Sequence, residues 1–177
     1  MVPVIFETEQ AIPLRIEDLL SQEKEDRWCL DLYECTPLVH GVSASGLRAL
    51  CLYEAPDAEA VRRAVRHLGA PDNLRAWTAA SFYRDGFTRR DWPWTDGPLA
   101  ISRHEPPAEF QSPDVRPAGT EAEPLSPGNG AIVIADFVSL DRTRAIRLYA
   151  APDLEAVRQI SGPLSRHDLF AAVPHSD

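Results

Sequence analysis

The chain contains nearly the same fifteen-residue segment twice. Residues 48–62 (RALCLYEAPDAEAVR) align without gaps on residues 144–158 (RAIRLYAAPDLEAVR), 96 positions later, and eleven of the fifteen residues are identical. Repetition at this level is typical of a duplicated structural unit. The repeat therefore predicts that this chain of 177 residues contains two copies of one fold.

Each copy of the repeated segment has the pattern of a strand followed by a capped helix. The apolar runs ALCLY and AIRLY are typical of strands, and Pro56 and Pro152 end them. Asp57 and Asp153 follow at the position where a side-chain oxygen accepts hydrogen bonds from the free N–H groups of a helix start. We therefore interpret the EAPD corner as structural and not catalytic.

The sequence around the first copy completes a βαββαβ unit. Short apolar segments predict strands, and a segment with apolar residues along one side predicts the first helix. This order of elements is that of the ferredoxin-like fold. The predicted elements are a strand at 2–7, a helix from 16 to about 27, strands at 37–43 and 47–53, the capped helix, and a strand at 74–82.

The second copy repeats this order with one departure. Residues 105–130 contain six prolines and stand where the first helix of the unit belongs, so they predict a long covering loop. The predicted strands of this copy are at 99–103, 131–138, 143–149 and 167–173. The expected domains are a first repeat at 1–83, a connector at 84–96 and a second repeat at 97–177.

A ferredoxin-like unit covers one face of its sheet with helices and leaves the other face open. Two copies can bury these open faces against each other, and we call that junction the seam. The predicted fold class is therefore α+β, with tandem ferredoxin-like (βαββαβ) repeats packed as a pseudo-twofold dimeric α/β barrel or sandwich. Such a seam leaves room for a cavity.

The two copies differ in chemical character at two of their corresponding strand positions. Cys51 corresponds to Arg147, and His40 corresponds by the same offset to Asp136. A buried arginine needs an acidic partner or an anionic ligand, and Asp136 is the candidate partner. Strand alternation is expected to place Leu50, Leu52, Ile146 and Leu148 beneath the helices, and Cys51, Tyr53, Arg147 and Tyr149 at the seam.

From these positions we predict ligand-binding residues Cys51, Tyr53, Asp136, Arg147 and Tyr149. Each also has a structural explanation. The two tyrosines fit core aromatics with satisfied hydroxyls, and Cys51 fits a small buried hydrophobic residue. Arg147 could serve only to pair with Asp136.

The segment CLYEAPDAEAVRRAVRHLGAP resembles a small bacterial domain family. The described type of that family is a nickel-binding, nickel-responsive protein with a ferredoxin-like fold that dimerises through its sheets. The family signature is a Cys-bearing strand, an E-A-P-D corner, a helix and a Gly-x-Pro stop, here Cys51, 54–57 and 69–71. The match covers about 39–78 and is partial over 131–173, where Arg147 replaces the cysteine.

The resemblance implies nickel or another divalent metal as a cofactor. Nickel favours imidazole ligands, and His40 stands roughly where a histidine of the family stands. Some members carry a histidine inside the Gly-x-Pro stop, where this chain has Ala70. The sequence has no HxH or HxxxH pair of the kind that forms a dedicated metal site, and His40 is the metal ligand that the resemblance implies. A strand-end histidine in solvent is the structural alternative.

Composition argues against several classes of partner. The net charge is −9 and no basic run occurs, which argues against nucleic acid and anionic membranes. No apolar run approaches the roughly 20 residues of a membrane span, and the N-terminus lacks the pattern of a signal peptide. Three cysteines without CxxC spacing indicate reduced thiols, so we expect a cytoplasmic protein.

Three kinds of function stay open from the sequence. The first is a non-catalytic binding protein that holds a small ligand or a transition-metal ion at the seam. The second is a small α/β-barrel enzyme, monooxygenase- or isomerase-like, although no catalytic motif is present. The third is a protein-interaction module that uses Trp92 and Trp94 in the connector together with the Pro-rich loop. A homo-oligomer is compatible with all three.

Overall fold

The computed structural model describes residues 1–69, 73–84, 98–104, 130–161 and 169–175. None of the helices in these ranges is long and apolar enough to cross a membrane. The elements in chain order are β1 (Val2–Glu9), α1 (Ile16–Glu25), α2 (Arg27–Leu32), β2 (Thr36–Ser43), β3 (Arg48–Ala55), α3 (Ala58–His67), β4 (Arg75–Tyr83), β5 (Leu99–His104), β6 (Ile132–Ser139), β7 (Ala145–Ala150), α4 (Leu154–Ser161) and β8 (Leu169–Pro174).

The chain divides into two compact units. Unit 1 comprises Met1–Ala79 and the C-terminal residues from Ala172, and unit 2 comprises Ala80–Ala171. The predicted seam concerns the placement of one copy against the other, and it stays a prediction. The predicted connector at 84–96 and the Pro-rich loop at 105–130 lie almost wholly outside the described residues.

Unit 1 has the predicted βαββαβ order, with two consecutive helices, α1 and α2, after its first strand. Its strands are hydrogen-bonded in the order β4–β1–β3–β2, and the C-terminal end of β8 follows beside β2. Strand β1 pairs antiparallel with both β3 and β4. The predicted α+β class is therefore confirmed, and the element order of the first copy matches the prediction.

Unit 2 is built from β5, β6, β7, α4 and the first part of β8, with the end of β4 at its edge. Its strand order is β8–β5–β7–β6–β4. Strand β7 pairs antiparallel with β5 on one side and with β6 on the other. The chain between β5 and β6 lies outside the described residues, so the predicted loss of a helix there is untested.

The two capped helices begin as the sequence predicts. The Oδ1 atom of Asp57 accepts a 2.8 Å hydrogen bond from the backbone N–H of Ala60. The Oδ1 atom of Asp153 accepts an equal bond from Ala156. An aspartate at this position accepts a hydrogen bond from one of the free N–H groups of the first turn. Its negative charge also interacts favourably with the positive end of the helix dipole.

The strand pairing of the two units agrees residue for residue at an offset of 96. His40 pairs with Cys51 in the β2–β3 hairpin, and Asp136 pairs with Arg147 in the β6–β7 hairpin. The irregularity in each hairpin also recurs, between positions 37 and 39 in one and between 133 and 135 in the other. Corresponding residues of the repeats therefore occupy the same strand positions.

The predicted facing of the strand residues is wrong. Cys51 and Tyr53 pack in one apolar cluster with Val61 and Val65 of α3, on the helix side of the unit 1 sheet. Tyr149 packs with Val157 of α4 in the same way, and strand alternation places Arg147 on that side too. Alternation failed to identify the face because the opposite set, Leu50, Leu52, Ile146 and Leu148, is equally buried.

Candidate metal centre

Glu23 is a buried carboxylate on α1 of unit 1. It lies one helical turn after Leu19, which packs against the apolar core, so the same helix face carries Glu23 inward. Its side chain is 2% exposed, and the hydroxyl of Tyr53 donates a 2.8 Å hydrogen bond to its Oε1 atom. Burying a carboxylate is costly unless both oxygens find partners, so the second oxygen also needs one.

His40 of β2 provides the group closest to that second oxygen. Its Nε2 atom lies 2.8 Å from Oε2 of Glu23, and its side chain is fully buried. This contact is an ion pair whenever the imidazole is protonated, and Oε2 has no other hydrogen-bond partner among the described residues. Burial lowers the pKa of His40, but the Cys51 sulfur and the Glu23 carboxylate outweigh burial and raise that pKa to about 10.

His175 joins the pair from the chain that follows β8. Its backbone N–H donates a 2.9 Å hydrogen bond to the carbonyl of Leu38, which fixes the residue beside β2. Its Nδ1 atom lies 3.4 Å from Nε2 of His40 and 3.7 Å from Oε2 of Glu23. The side chain is 13% exposed, so this is the side of the cluster nearest to solvent.

Three potential metal-ligand atoms therefore converge from α1, from β2 and from the chain after β8. Oε2 of Glu23, Nε2 of His40 and Nδ1 of His175 all lie within 4.8 Å of one another. Ligand atoms about 2.0–2.1 Å from a common ion lie roughly 2.9–3.4 Å apart in octahedral or tetrahedral geometry. The three separations, 2.8, 3.4 and 3.7 Å, are close to that range.

Cys51 and Tyr53 border the cluster from β3. Cys51 is the strand partner of His40, and the ring of Tyr53 meets the His40 ring edge-on with centroids 6.4 Å apart. Burial, the Glu23 carboxylate and Cys51 raise the pKa of Tyr53 well above its ordinary value. The hydroxyl therefore keeps its proton and acts as a donor to Glu23. A ligand-binding role for Cys51 and Tyr53 stays a prediction.

A cavity of about 90 Å³ adjoins the cluster within unit 1. Glu23 and Tyr53 line it together with Thr8, whose buried hydroxyl has no hydrogen-bond partner among the described residues. A cavity of about 150 Å³ is enough to hold benzene, so this one has room for a few waters or a very small molecule. The apolar part of its lining comes from Phe6, Leu14, Leu19, Val65 and Leu68.

Unit 2 carries an ion cluster at the corresponding strand positions. Arg147 donates two hydrogen bonds to Asp136, from Nε at 2.6 Å and from Nη2 at 3.1 Å, which confirms the predicted pairing. Arg84 donates a third, of 2.8 Å, to the same carboxylate. Burial lowers the pKa of Arg147, but the Asp136 carboxylate has the larger effect, so the net shift of that pKa is upward. The hydroxyls of Ser102 and Tyr149 lie 3.1 Å apart.

The sequence predictions therefore fall into two groups, one in each unit. His40, Cys51 and Tyr53 meet in unit 1, and Asp136 and Arg147 meet in unit 2 with Arg84. Sequence reasoning missed Glu23 and His175. Glu23 stands in the charged run SQEKED, and only its spacing of four from Leu19 marks it as inward-facing. His175 lies two residues beyond the predicted strand at 167–173 and gave no local signal.

Comparisons with known proteins do not identify this chain. No family model and no curated protein matches it. A proposed monooxygenase from Lactobacillus acidophilus NCFM aligns over 98% of this chain and 94% of its own, with 10% identity and a TM-score of 0.44. A mutant chlorite dismutase from Candidatus Nitrospira defluvii in complex with cyanide aligns over 98% and 91%, with 13% identity and a TM-score of 0.48. These similarities are too weak to indicate an activity or a ligand.

Proposed function

We propose that unit 1 binds a divalent transition-metal ion through Glu23, His40 and His175. The observation that carries the proposal is the Oε2 atom of Glu23, which is buried, has no hydrogen-bond partner among the described residues, and faces two imidazole nitrogens. An unsatisfied carboxylate oxygen is expensive to bury. An ion between the three atoms would give that oxygen a partner and would balance its charge.

The donor set favours a particular class of ion. Two imidazole nitrogens and one carboxylate oxygen suit Zn²⁺, Fe²⁺, Ni²⁺ and Cu²⁺, whereas Mg²⁺ and Ca²⁺ prefer oxygen ligands. Nickel, which the family resemblance implies, is one member of this class. Three protein ligands are also fewer than the four of closed structural zinc sites. A bound ion would therefore keep a position for water or a small ligand, in a binding protein or in an enzyme.

A metal-free buried ion pair is the competing account of the same residues. Protonated His40 beside ionised Glu23 would form a buried ion pair without any ion. The two accounts differ in what His175 does. In the metal account His175 supplies an essential ligand, whereas in the ion-pair account it lies 3.7 Å from the carboxylate and adds little.

Metal titration of the purified protein tests the proposal. Wild-type protein, stripped with chelator, is titrated with Ni²⁺, Zn²⁺ and Co²⁺ by calorimetry, with Co²⁺ absorption as a report of coordination. We expect one ion per chain. The sharpest variant is His175→Ala, because this residue follows the last strand and its loss leaves the core intact. Loss of a ligand should weaken binding by at least 10–100-fold, the range found even for residues that only support a ligand.

His67→Gln is the matched control, since His67 is an exposed residue of α3 in the same unit and is not one of the three converging ligands. It should bind metal like wild type. Absence of stoichiometric binding, or equal affinity in wild type and His175→Ala, would contradict the proposal.

A further inference from the structure

The cavity of unit 1 results from a pair of small residues on neighbouring strands. Thr8 of β1 is the strand partner of Ala49 of β3, and directly paired residues point to the same face of a sheet. Both residues line the cavity of about 90 Å³, together with the larger Phe6 and Tyr53. The short side chains of the pair therefore leave a volume between the sheet and the helices that cover it.

This cavity is separate from the candidate metal centre. Of the three converging ligands, Glu23 borders the cavity, whereas His40 and His175 are not among the described residues that line it. The Glu23 carboxylate accepts a hydrogen bond from Tyr53 through one oxygen and faces His40 with the other. Both oxygens are engaged by the cluster, so a molecule in the cavity needs neither the ion nor this carboxylate.

The cavity reaches the surface where α1 meets the end of α3. Gln22 of α1 and Gly69, which follows α3, line the cavity and are exposed. The side-chain amide of Gln22 donates a hydrogen bond to the backbone carbonyl of Leu68 at this opening. An exposed hydrogen bond of this kind opens at low cost, because water can replace either partner. A small molecule therefore has a route from solvent to Thr8.

The lining favours an uncharged molecule with a mainly apolar body. Phe6, Leu19 and Val65 supply apolar contact surface, and none of the described lining residues is Lys, Arg or His. An anion would be buried without a counter-charge, and a cation would find the Glu23 carboxylate already engaged. A cavity of about 150 Å³ holds the six carbons of benzene, so one of about 90 Å³ holds roughly four non-hydrogen atoms.

Thr8 gives the same cavity one specific polar group. The residue is 5% exposed, and its hydroxyl has no hydrogen-bond partner among the described residues. A buried hydroxyl without a partner is costly, and no hydrogen bond fixes its rotamer. Rotation about χ1 can turn the hydroxyl toward the cavity, where it can donate to a carbonyl oxygen or accept from an alcohol.

We propose that this cavity binds a short-chain neutral alcohol or ketone of about four non-hydrogen atoms through a hydrogen bond to Thr8. The apolar part of the molecule packs against Phe6, Leu19 and Val65, and its oxygen gives the buried hydroxyl a partner. This ligand site lies wholly within unit 1, whereas the sequence predicted a ligand at the seam.

Titration of the full-length, metal-free protein with 1-propanol tests the proposal, because this alcohol has four non-hydrogen atoms. Methyl ¹H–¹³C spectra follow Leu19 and Val65, which line the cavity, and Val138 of unit 2 as an internal reference. We expect saturable shifts confined to the cavity methyls. The dissociation constant should be in the millimolar range, because so small a ligand makes few contacts. Isobutane, which is of equal size and has no oxygen, is the comparison ligand.

Three variants separate the hydroxyl from the shape of the cavity. Thr8→Val keeps the shape and removes the hydroxyl, so affinity for 1-propanol should fall at least about fivefold while isobutane binds as in wild type or more tightly. Thr8→Ser keeps the hydroxyl and should keep the preference for 1-propanol over isobutane. Thr78→Val is the matched control on the neighbouring strand β4, since Thr78 is not among the described lining residues, and it should behave like wild type.

Absence of saturable shifts with 1-propanol would mean that the cavity holds water alone, and it would overturn the proposal. Equal 1-propanol affinity in wild type and Thr8→Val, or shifts at Val138 as large as those at Leu19 and Val65, would overturn it as well. The titrations contain no metal, so a negative result would leave the proposed metal centre untouched.

Discussion

The β2–β3 hairpin of unit 1 and the β6–β7 hairpin of unit 2 each contain a strand pair at equivalent positions. The pair is 40 and 51 in unit 1 and 136 and 147 in unit 2, and the two pairs carry different functional groups. In unit 1 the pair is an imidazole and a thiol, and the carboxylate comes from α1. In unit 2 the pair is a carboxylate and a guanidinium, and each neutralises the other directly. The fold therefore fixes the position of the strand pair in each unit, and the side chains at those positions determine its chemistry.

The comparison also shows which of the two sites depends on distant parts of the chain. In unit 2 the two strand residues make two hydrogen bonds with each other, and Arg84 adds one more. In unit 1, His40 depends on Glu23 from a helix and on His175 from the far end of the sequence. A cluster assembled from separate elements leaves donor atoms facing a common point, which is what an ion requires.

The largest expected effect on stability comes from removing the Asp136 carboxylate in unit 2. Asp136→Ala would leave the guanidiniums of Arg147 and Arg84 together without their shared partner. Removing one member of a buried ion pair costs about 3–5 kcal/mol, and we expect the lower end because both arginines are partly exposed. The free energy of unfolding, measured by urea denaturation, checks this.

Glu155→Ala is the control for Asp136→Ala, since Glu155 forms an exposed pair with Arg158 on α4. Its loss should change stability by less than about 0.5 kcal/mol. A cost below about 1 kcal/mol for Asp136→Ala would mean that the strand pair of unit 2 is replaceable, and the contrast with unit 1 would lose its energetic basis.

The hairpin turns give a second contrast, of intermediate size. Position 46 in unit 1 is glycine at φ 71°, and its counterpart in unit 2 is Arg142 at φ 60°. A Cβ at Gly46 would lie 2.9 Å from the carbonyl oxygen of Leu14 and from Cβ of Pro13, whose loop docks on this turn. Glycine is therefore required in unit 1 for its conformation and for the close approach.

Reciprocal substitutions test this contrast. Gly46→Ala should destabilise by about 1–3 kcal/mol, because strain in the left-handed region adds to a clash with backbone. Arg142→Gly should instead stabilise by about 0.5–1 kcal/mol, since left-handed strain of about 1–2 kcal/mol slightly exceeds the entropy that glycine loses on folding. Thermal and urea unfolding measure both changes. Effects of the same sign in the two turns would show that the turns are not equivalent.

Local chemistry is what made parts of the fold predictable. The strand, proline, aspartate and helix of each repeated segment lie next to one another in sequence, and both predicted caps are present. The pairing of Asp136 with Arg147 also followed from sequence, because the repeat fixed their common offset from His40 and Cys51.

What could not be predicted depends on contacts between distant residues. The facing of Cys51 and Tyr53 was wrong, because both faces of β3 are apolar and buried and nothing local marks the helix side. Glu23 and His175 are 152 positions apart, from 175 − 23, and only the folded sheet brings them to His40. The nickel prediction rested on resemblance, and no residue pattern pointed to the three ligands that converge.

The smallest expected effect is on the pH dependence of stability, and it comes from the same two hairpin turns. In unit 2, Oδ1 of Asp141 accepts hydrogen bonds from the hydroxyl of Ser139 at 2.5 Å, and from the N–H and hydroxyl of Thr143 at 3.1 and 2.8 Å. The Ser139 hydroxyl, followed by the two Thr143 donors, lowers the pKa of Asp141 to about 2. In unit 1 the corresponding residue is Ser45, which does not titrate and whose hydroxyl lies 3.1 Å from that of Ser43.

The pKa of Asp141 is lower in the folded state than the unfolded value of about 3.9. Ionised Asp141 therefore stabilises the native turn, and the contribution is complete at pH values above the unfolded pKa. This contribution should fade as the pH falls from about 4 through about 2. Asp141→Ser, which copies the turn of unit 1, removes the titrating group. The stability difference between wild type and Asp141→Ser, followed by urea unfolding from pH 5 to pH 2, should therefore shift in favour of the variant as the pH falls. A difference that stays constant over this range would mean that the Ser139 and Thr143 donors do not hold the carboxylate, and that the two turns behave alike despite their different residues.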